Sequence, residues 1–134
     1  MIRRLRLVVT TLEVAFIALA VERALHTEPL DKVLSVPGPL AASAVSGTIP
    51  VATLERAIRV VYRILPLELT CLKHSLVFCR FRWRRGLPAA LRIGVQKEGG
   101  VFAAHAWVED GSGAVLTDPQ EGFTELPLPR TRAD

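Results

Sequence analysis

Apolar residues recur at helical spacing from the start of the chain. Leu5, Val8, Leu12, Phe16 and Leu19 make one stripe, which predicts a helix from Ile2 to about His26 with that stripe buried in a core. Residues 28–50 break the pattern. Pro29, Pro37, Gly38, Pro39, Gly47 and Pro50 mark this stretch as loop, with a short helical piece over 40–45. Val51, Leu54, Ile58, Val61 and Leu65 form a second helical stripe, stopped by Pro66. Thr70 offers a capping hydroxyl to a third helix, Cys71 to about Arg85, which Gly86 and Pro88 close. Leu72, Leu76, Cys79 and Trp83 are its core stripe.

After Pro88 the period falls to two. Leu91, Ile93 and Val95 alternate with Arg92, Gly94 and Gln96, the signature of a strand. Lys97 to Gly100 reads as a turn, Val101 to Glu109 as a second strand, Asp110 to Gly113 as another turn, and Ala114 to Asp118 as a third strand. Helices followed by an antiparallel meander define an α+β protein. The 134 residues allow one domain: helix and loop over 1–50, helices over 51–88 and sheet over 89–125.

Composition narrows the class. Half of the residues are apolar and 22% charged, the balance of a folded protein. The net charge of +4 is modest, and no aromatic residues alternate with basic ones in the strands, so nucleic acid is not the expected partner. Arg3, Arg4 and Arg6 precede an apolar run from Leu7 to Val21 that ends near Ala18-Leu19-Ala20, a pattern resembling a signal peptide. Glu13 interrupts the run, and about 15 residues are too few to span a bilayer. A core helix is expected, with no stable membrane insertion. Cys71 and Cys79 stand two turns apart on one helix, roughly 12 Å by helical rise, too far for a disulfide. A reduced, cytoplasmic protein follows.

The candidate chemistry starts at Cys71. A thiol in the first turn of a helix meets unpaired backbone N–H groups and the positive end of the helix dipole, both of which favour thiolate. Cys79 sits in the core stripe and has neither advantage. His105 lies mid-strand among small residues, Ala103-Ala104-His105-Ala106-Trp107, which leave an imidazole room to approach another element. Trp107 shares its face and could wall the site from water. If Asp110 to Gly113 is a four-residue loop, Glu109 pairs with Ala114, paired numbers sum to 223, and His105 lies opposite Asp118. Cys71, His105 and Asp118 then form a nucleophile, a base and the carboxylate that orients it. Glu109 is the reserve carboxylate.

Other residues read more plainly. His74 is expected at the surface or behind the site. A Cys–His–His zinc site lacks paired ligand spacing, so neither metal nor cofactor is expected. Lys73, Arg80 and Arg84 lie about a quarter-turn from the core stripe and read as a solvent-facing basic ridge. That ridge is either a solvated helix edge or a dock for an acidic leader or partner.

Taken in order, Cys71-Leu72-Lys73-His74-Ser75-Leu76, Arg84-Arg85-Gly86-Leu87-Pro88-Ala89, Leu91-Arg92-Ile93-Gly94-Val95, His105-Ala106-Trp107-Val108-Glu109 and Asp118 resemble a known family. It is the transglutaminase-like, papain-like leader peptidase of lasso-peptide biosynthesis. The resemblance covers about Thr70 to Glu125 and implies a cysteine peptidase with its nucleophile at a helix start. It implies cleavage of a ribosomal precursor between leader and core, freeing an amine that a separate cyclase joins to a side-chain carboxylate. Cys71, His105 and Asp118 match the family's triad. The chain resembles the split form that works with a small leader-binding protein. His74 stands where the family usually has arginine. Pro66 to Thr70 contains no glutamine to serve as second oxyanion donor. A transglutaminase-like acyltransferase, another thiol hydrolase and a non-catalytic binding module are the alternatives.

Overall fold

The computed structural model describes residues 2–34, 49–110, 112–117 and 123–126. Four helices precede a small antiparallel sheet: α1 (Ile2–Thr27), α2 (Leu30–Leu34), α3 (Val51–Ile64), α4 (Cys71–Arg84), β1 (Ala90–Glu98), β2 (Val101–Glu109) and β3 (Thr124–Glu125). The class is α+β, as the patterning implied. The three long helices fall where their apolar spacing placed them. The loop after α1 adds α2, which the proline-rich composition concealed; the short helix expected over 40–45 lies outside the described residues.

α4 is the centre of the molecule. It packs on α1, on α3 and on the sheet, and Leu76, Val77, Phe78, Cys79 and Phe81 are fully buried. Its start is capped by the Thr70 hydroxyl, which accepts from the Lys73 amide at 3.2 Å. Its end is a Schellman closure: the Leu87 amide donates to the Arg82 carbonyl and the Gly86 amide to that of Trp83. The Trp83 indole then donates to the Ala89 carbonyl at 2.8 Å, fastening the helix end to the approach to β1.

α1 corrects the first expectation. Leu5, Leu12 and Phe16 are 63%, 65% and 64% exposed, and Val8 and Leu19 are exposed too. The buried face is the opposite one, Thr10, Val14, Ile17, Ala18, Val21 and Ala24. The helix carries two apolar stripes, and periodicity alone cannot choose between them. Small residues decide the matter: Thr10, Ala18 and Ala24 let α1 approach its neighbours closely. Charge pairing locks the choice. Glu13 meets Arg84 at 3.3 Å and Arg85 at 3.0 Å, and Glu22 meets Lys73 at 2.6 Å. These pairs run in opposite chain directions, so α1 and α4 are antiparallel.

The sheet order is β2-β1-β3. β1 and β2 form a hairpin from Ala90↔Glu109 to Glu98↔Val101, turned by Gly99-Gly100 with both φ angles positive, as a two-residue type I′ turn requires. β3 pairs on the far side of β1, with Gly94↔Glu125 and Val95↔Thr124. Of the third strand expected at Ala114 to Asp118, the described residues 114–117 form a single bridge, Glu109↔Val115. Paired numbers there sum to 224, not 223. The Asp110 amide donates to the Ala114 carbonyl at 2.9 Å and the Gly113 amide to the Asp110 carbonyl at 3.1 Å, so the loop holds three residues rather than four. Gly113, at φ +90°, supplies the left-handed residue that such a bulged loop needs. The Asp110 carboxylate seals it by accepting from Ser112 and Ala114, and the Ser112 bonds hold its carboxyl below the usual range.

Candidate functional site

Cys71 is the first residue of α4 and is half-buried, with its sulfur free. The segment leading to it is fastened twice. Thr70 caps the helix, and the Lys73 ammonium donates to the Glu68 carbonyl at 3.1 Å while paired with Glu22. A nucleophile here sits beside first-turn amides that have no partner inside the helix, the geometry in which backbone donors can receive an oxyanion. Cys79 is also a free cysteine but is fully buried, and burial pushes its thiol far up, against the opposing pull of Arg82 and Arg80. The two cysteines thus divide as the sequence suggested, one accessible and one a core residue.

His105 is half-buried in the middle of β2, the strand against which α4 packs. Strand parity separates the two faces of the sheet. Leu91, Ala106 and Val108 join the helical core. Gly94, His105, Trp107 and Glu109 lie on the opposite face. The imidazole contacts two rings there: Trp107, stacked at 6.1 Å between centroids, and Phe123 at 5.2 Å. Trp107 lies on the same face as His105, as strand spacing placed it. Among the described residues no hydrogen bond joins Cys71 to His105.

Gly94 makes this arrangement possible. It lies directly opposite His105, and a Cβ placed on it would come within 2.9 Å of the Trp107 ring and of the Phe123 Cβ. A glycine inside a strand signals such a close approach, so this residue was visible in the sequence and went unread. Phe123 was missed for a different reason: no periodicity surrounds it.

The carboxylates divide as follows. Asp118 lies outside the described residues, and with paired numbers summing to 224 the register expected to set it opposite His105 does not form. Its chain neighbour Thr117 is buried, and the Thr117 hydroxyl accepts from the Val108 amide at 3.0 Å. Glu109 is already engaged: it accepts from the Trp107 indole at 2.9 Å and lies 3.5 Å from Arg92, which also reaches Glu125 at 3.4 Å. Its position stabilises Trp107 rather than His105.

The basic ridge does not stand free in solvent. Lys73 and Arg84 are spent on Glu22 and Glu13 of α1, and the Arg84 guanidinium also lies over the Phe16 ring at 5.8 Å. Burial lowers the Arg80 guanidinium below its ordinary value, partly offset by Glu28. Lys73 and Arg84 thus belong to the seam between α4 and α1. Of the two places expected for His74, the surface one is excluded: it is buried on α4, with its ring 6.3 Å from that of Phe78. Among the described residues no three His, Cys, Asp or Glu side chains converge as metal ligands, and no helix is long and apolar enough to cross a membrane.

Helices followed by a small antiparallel sheet, with a cysteine opening the central helix, are the α+β arrangement of a transglutaminase-like fold. The model of the transglutaminase-like superfamily matches residues 8–127, and the chain belongs to that superfamily. No curated protein and no solved structure matches it significantly.

Proposed function

We propose that this protein is a cysteine peptidase that removes the leader from a ribosomal lasso-peptide precursor, acting in the cytoplasm with a separate leader-binding protein and a cyclase. The observation that carries the reading is Cys71 as the capped first residue of α4, half-buried with a free thiol. Superfamily membership supports thiol chemistry at that position. The ordered sequence blocks from Cys71 to Asp118 support the narrower substrate class.

In this mechanism the Cys71 thiolate attacks the scissile carbonyl carbon. The resulting oxyanion is received by first-turn amides of α4. Collapse breaks the C–N bond, and the departing amine takes its proton from the His105 imidazolium, leaving a thioester on Cys71. A water then attacks the thioester, gives a proton to His105, and releases the leader as an acid with the thiol restored. Asp118 is the carboxylate that the resemblance assigns to orienting the imidazole.

The test is cleavage of a candidate precursor, read by product mass. Hydrolysis gives a leader acid and a core with a free amine, and Cys71→Ala or His105→Ala abolishes both products. A cross-linked adduct in place of the acid would overturn the peptidase reading in favour of acyl transfer. Unchanged cleavage by Cys71→Ala would remove the thiol from the chemistry.

A further inference from the structure

A cleft of about 530 Å³ lies between the start of α1 and the start of α3, far from Cys71. Four arginines line it, Arg3, Arg4, Arg6 and Arg56, together with the hydroxyl residues Thr10 and Thr53. No carboxylate does. The contrast with the rest of the molecule is sharp: Arg84, Arg85 and Arg92 all meet glutamates, whereas none of the ion pairs among the described residues uses these four. Nor do the flanking helices supply the missing charge. Neither α1 nor α3 has an acidic residue in its first turn, and the Pro50 cap of α3 makes no side-chain capping bond. Two helix starts and four guanidinium groups therefore face one cleft with no balancing carboxylate among the described residues, and an anion entering it would gain from all of them.

We infer that this cleft is an exosite for an acidic segment of the peptide substrate, a refinement that rests on the peptidase reading above. The shape and lining favour a peptide over a single small anion. The volume is that of a ligand-sized pocket, and apolar Leu7, Ile49 and Pro50 lie between the charges. Guanidinium forks match carboxylates two oxygens at a time. Position adds a length requirement. Glu22 marks the Cys71 end of α1 through its pairing with Lys73, and Arg6 marks the cleft end. Sixteen residues of helix separate them, about 24 Å by helical rise. An extended chain covers that in about seven residues, so the acidic segment lies at least that far from the scissile bond.

The experiment uses full-length Cys71→Ala protein, so that binding is read without turnover. A fluorescent peptide of alternating glutamate and leucine is titrated and followed by anisotropy, beside its glutamine counterpart. The acidic peptide should bind at least tenfold more tightly at low salt, and the advantage should fall steeply as salt rises. Arg4→Glu with Arg56→Glu should remove the advantage while circular dichroism and the alkylation rate of Cys71 in the otherwise native protein stay unchanged. In the cleavage assay, the same pair of changes should raise KM for a precursor with a distant acidic segment and leave a short neutral substrate unaffected. Equal binding of the two peptides, or acidic binding that survives the charge reversal, overturns the exosite. So does displacement of the peptide by millimolar inorganic phosphate, which would mark a small-anion site, or binding of anionic phospholipid vesicles with no peptide binding. Selective binding without any cleavage by the native protein would instead sink the peptidase reading and leave the cleft's specificity standing.

Discussion

The Val108 amide donates to the Thr117 hydroxyl at 3.0 Å, and this side-chain bond takes the place of the next rung in the ladder beside β2. The Leu116 amide still donates to the Val108 carbonyl at 2.7 Å, so regular pairing stops there, two residues before Asp118.

Thr117→Val should therefore leave a buried amide without its acceptor. The expected loss is about 1–3 kcal/mol in stability, with Thr117→Ser largely restoring it. If Asp118 orients His105, peptidase activity should fall further in Thr117→Val than the loss of folded protein accounts for. Chemical denaturation and steady-state kinetics on the same samples check this.

The two stripes of α1 predict opposite responses to truncation. Ile17→Ala removes a buried side chain and should cost about 2–5 kcal/mol. Leu12→Ala removes an exposed one and should change stability by no more than about 0.5 kcal/mol. Urea unfolding of the two variants decides which face is packed.

Much of this fold was legible, and the failures share a cause. The helices, the capping threonine, the glycine closure of α4 and the β1–β2 hairpin all depend on local chemistry, and the sequence displays local chemistry directly. Which stripe of α1 is buried depends on what α4 offers it: Arg84, Arg85 and Lys73 select the face that carries Glu13 and Glu22. The register beyond Glu109 depends on whether Asp110 belongs to the loop or pairs with Ala114, a difference of one residue that moves every later pairing. Cys71 stood out because its place at a helix start is a local fact. The ring contacts of His105 did not, since Gly94 and Phe123 come from other strands and segments.

Alkaline stability tests the packing around Tyr62. Burial, reinforced by Glu22, pushes its hydroxyl up to about 12, and the hydroxyl makes no hydrogen bond among the described residues. In the unfolded chain a tyrosine titrates near 10. Between these values the folded state holds the proton that the unfolded state releases, so stability is intact below about pH 10 and declines as pH rises toward 12. The slope from this one group approaches about 1.4 kcal/mol per pH unit. Tyr62→Phe should keep or slightly raise stability at pH 7 and flatten that decline by one proton equivalent. Thermal melts across the pH range measure both.

In the proposed mechanism Cys71 carries the acyl group of the cleaved peptide. Rapid acid quenching of the protein during precursor turnover, followed by intact and peptide mass spectrometry, observes this directly. The account predicts a transient adduct on Cys71 equal to the leader acid minus one water, labile to hydroxylamine, absent from Cys71→Ala and unaffected by Cys79→Ala. Cleavage that proceeds with no adduct trapped at any quench time in a deacylation-limited substrate, or an adduct mapped to another residue, would contradict it.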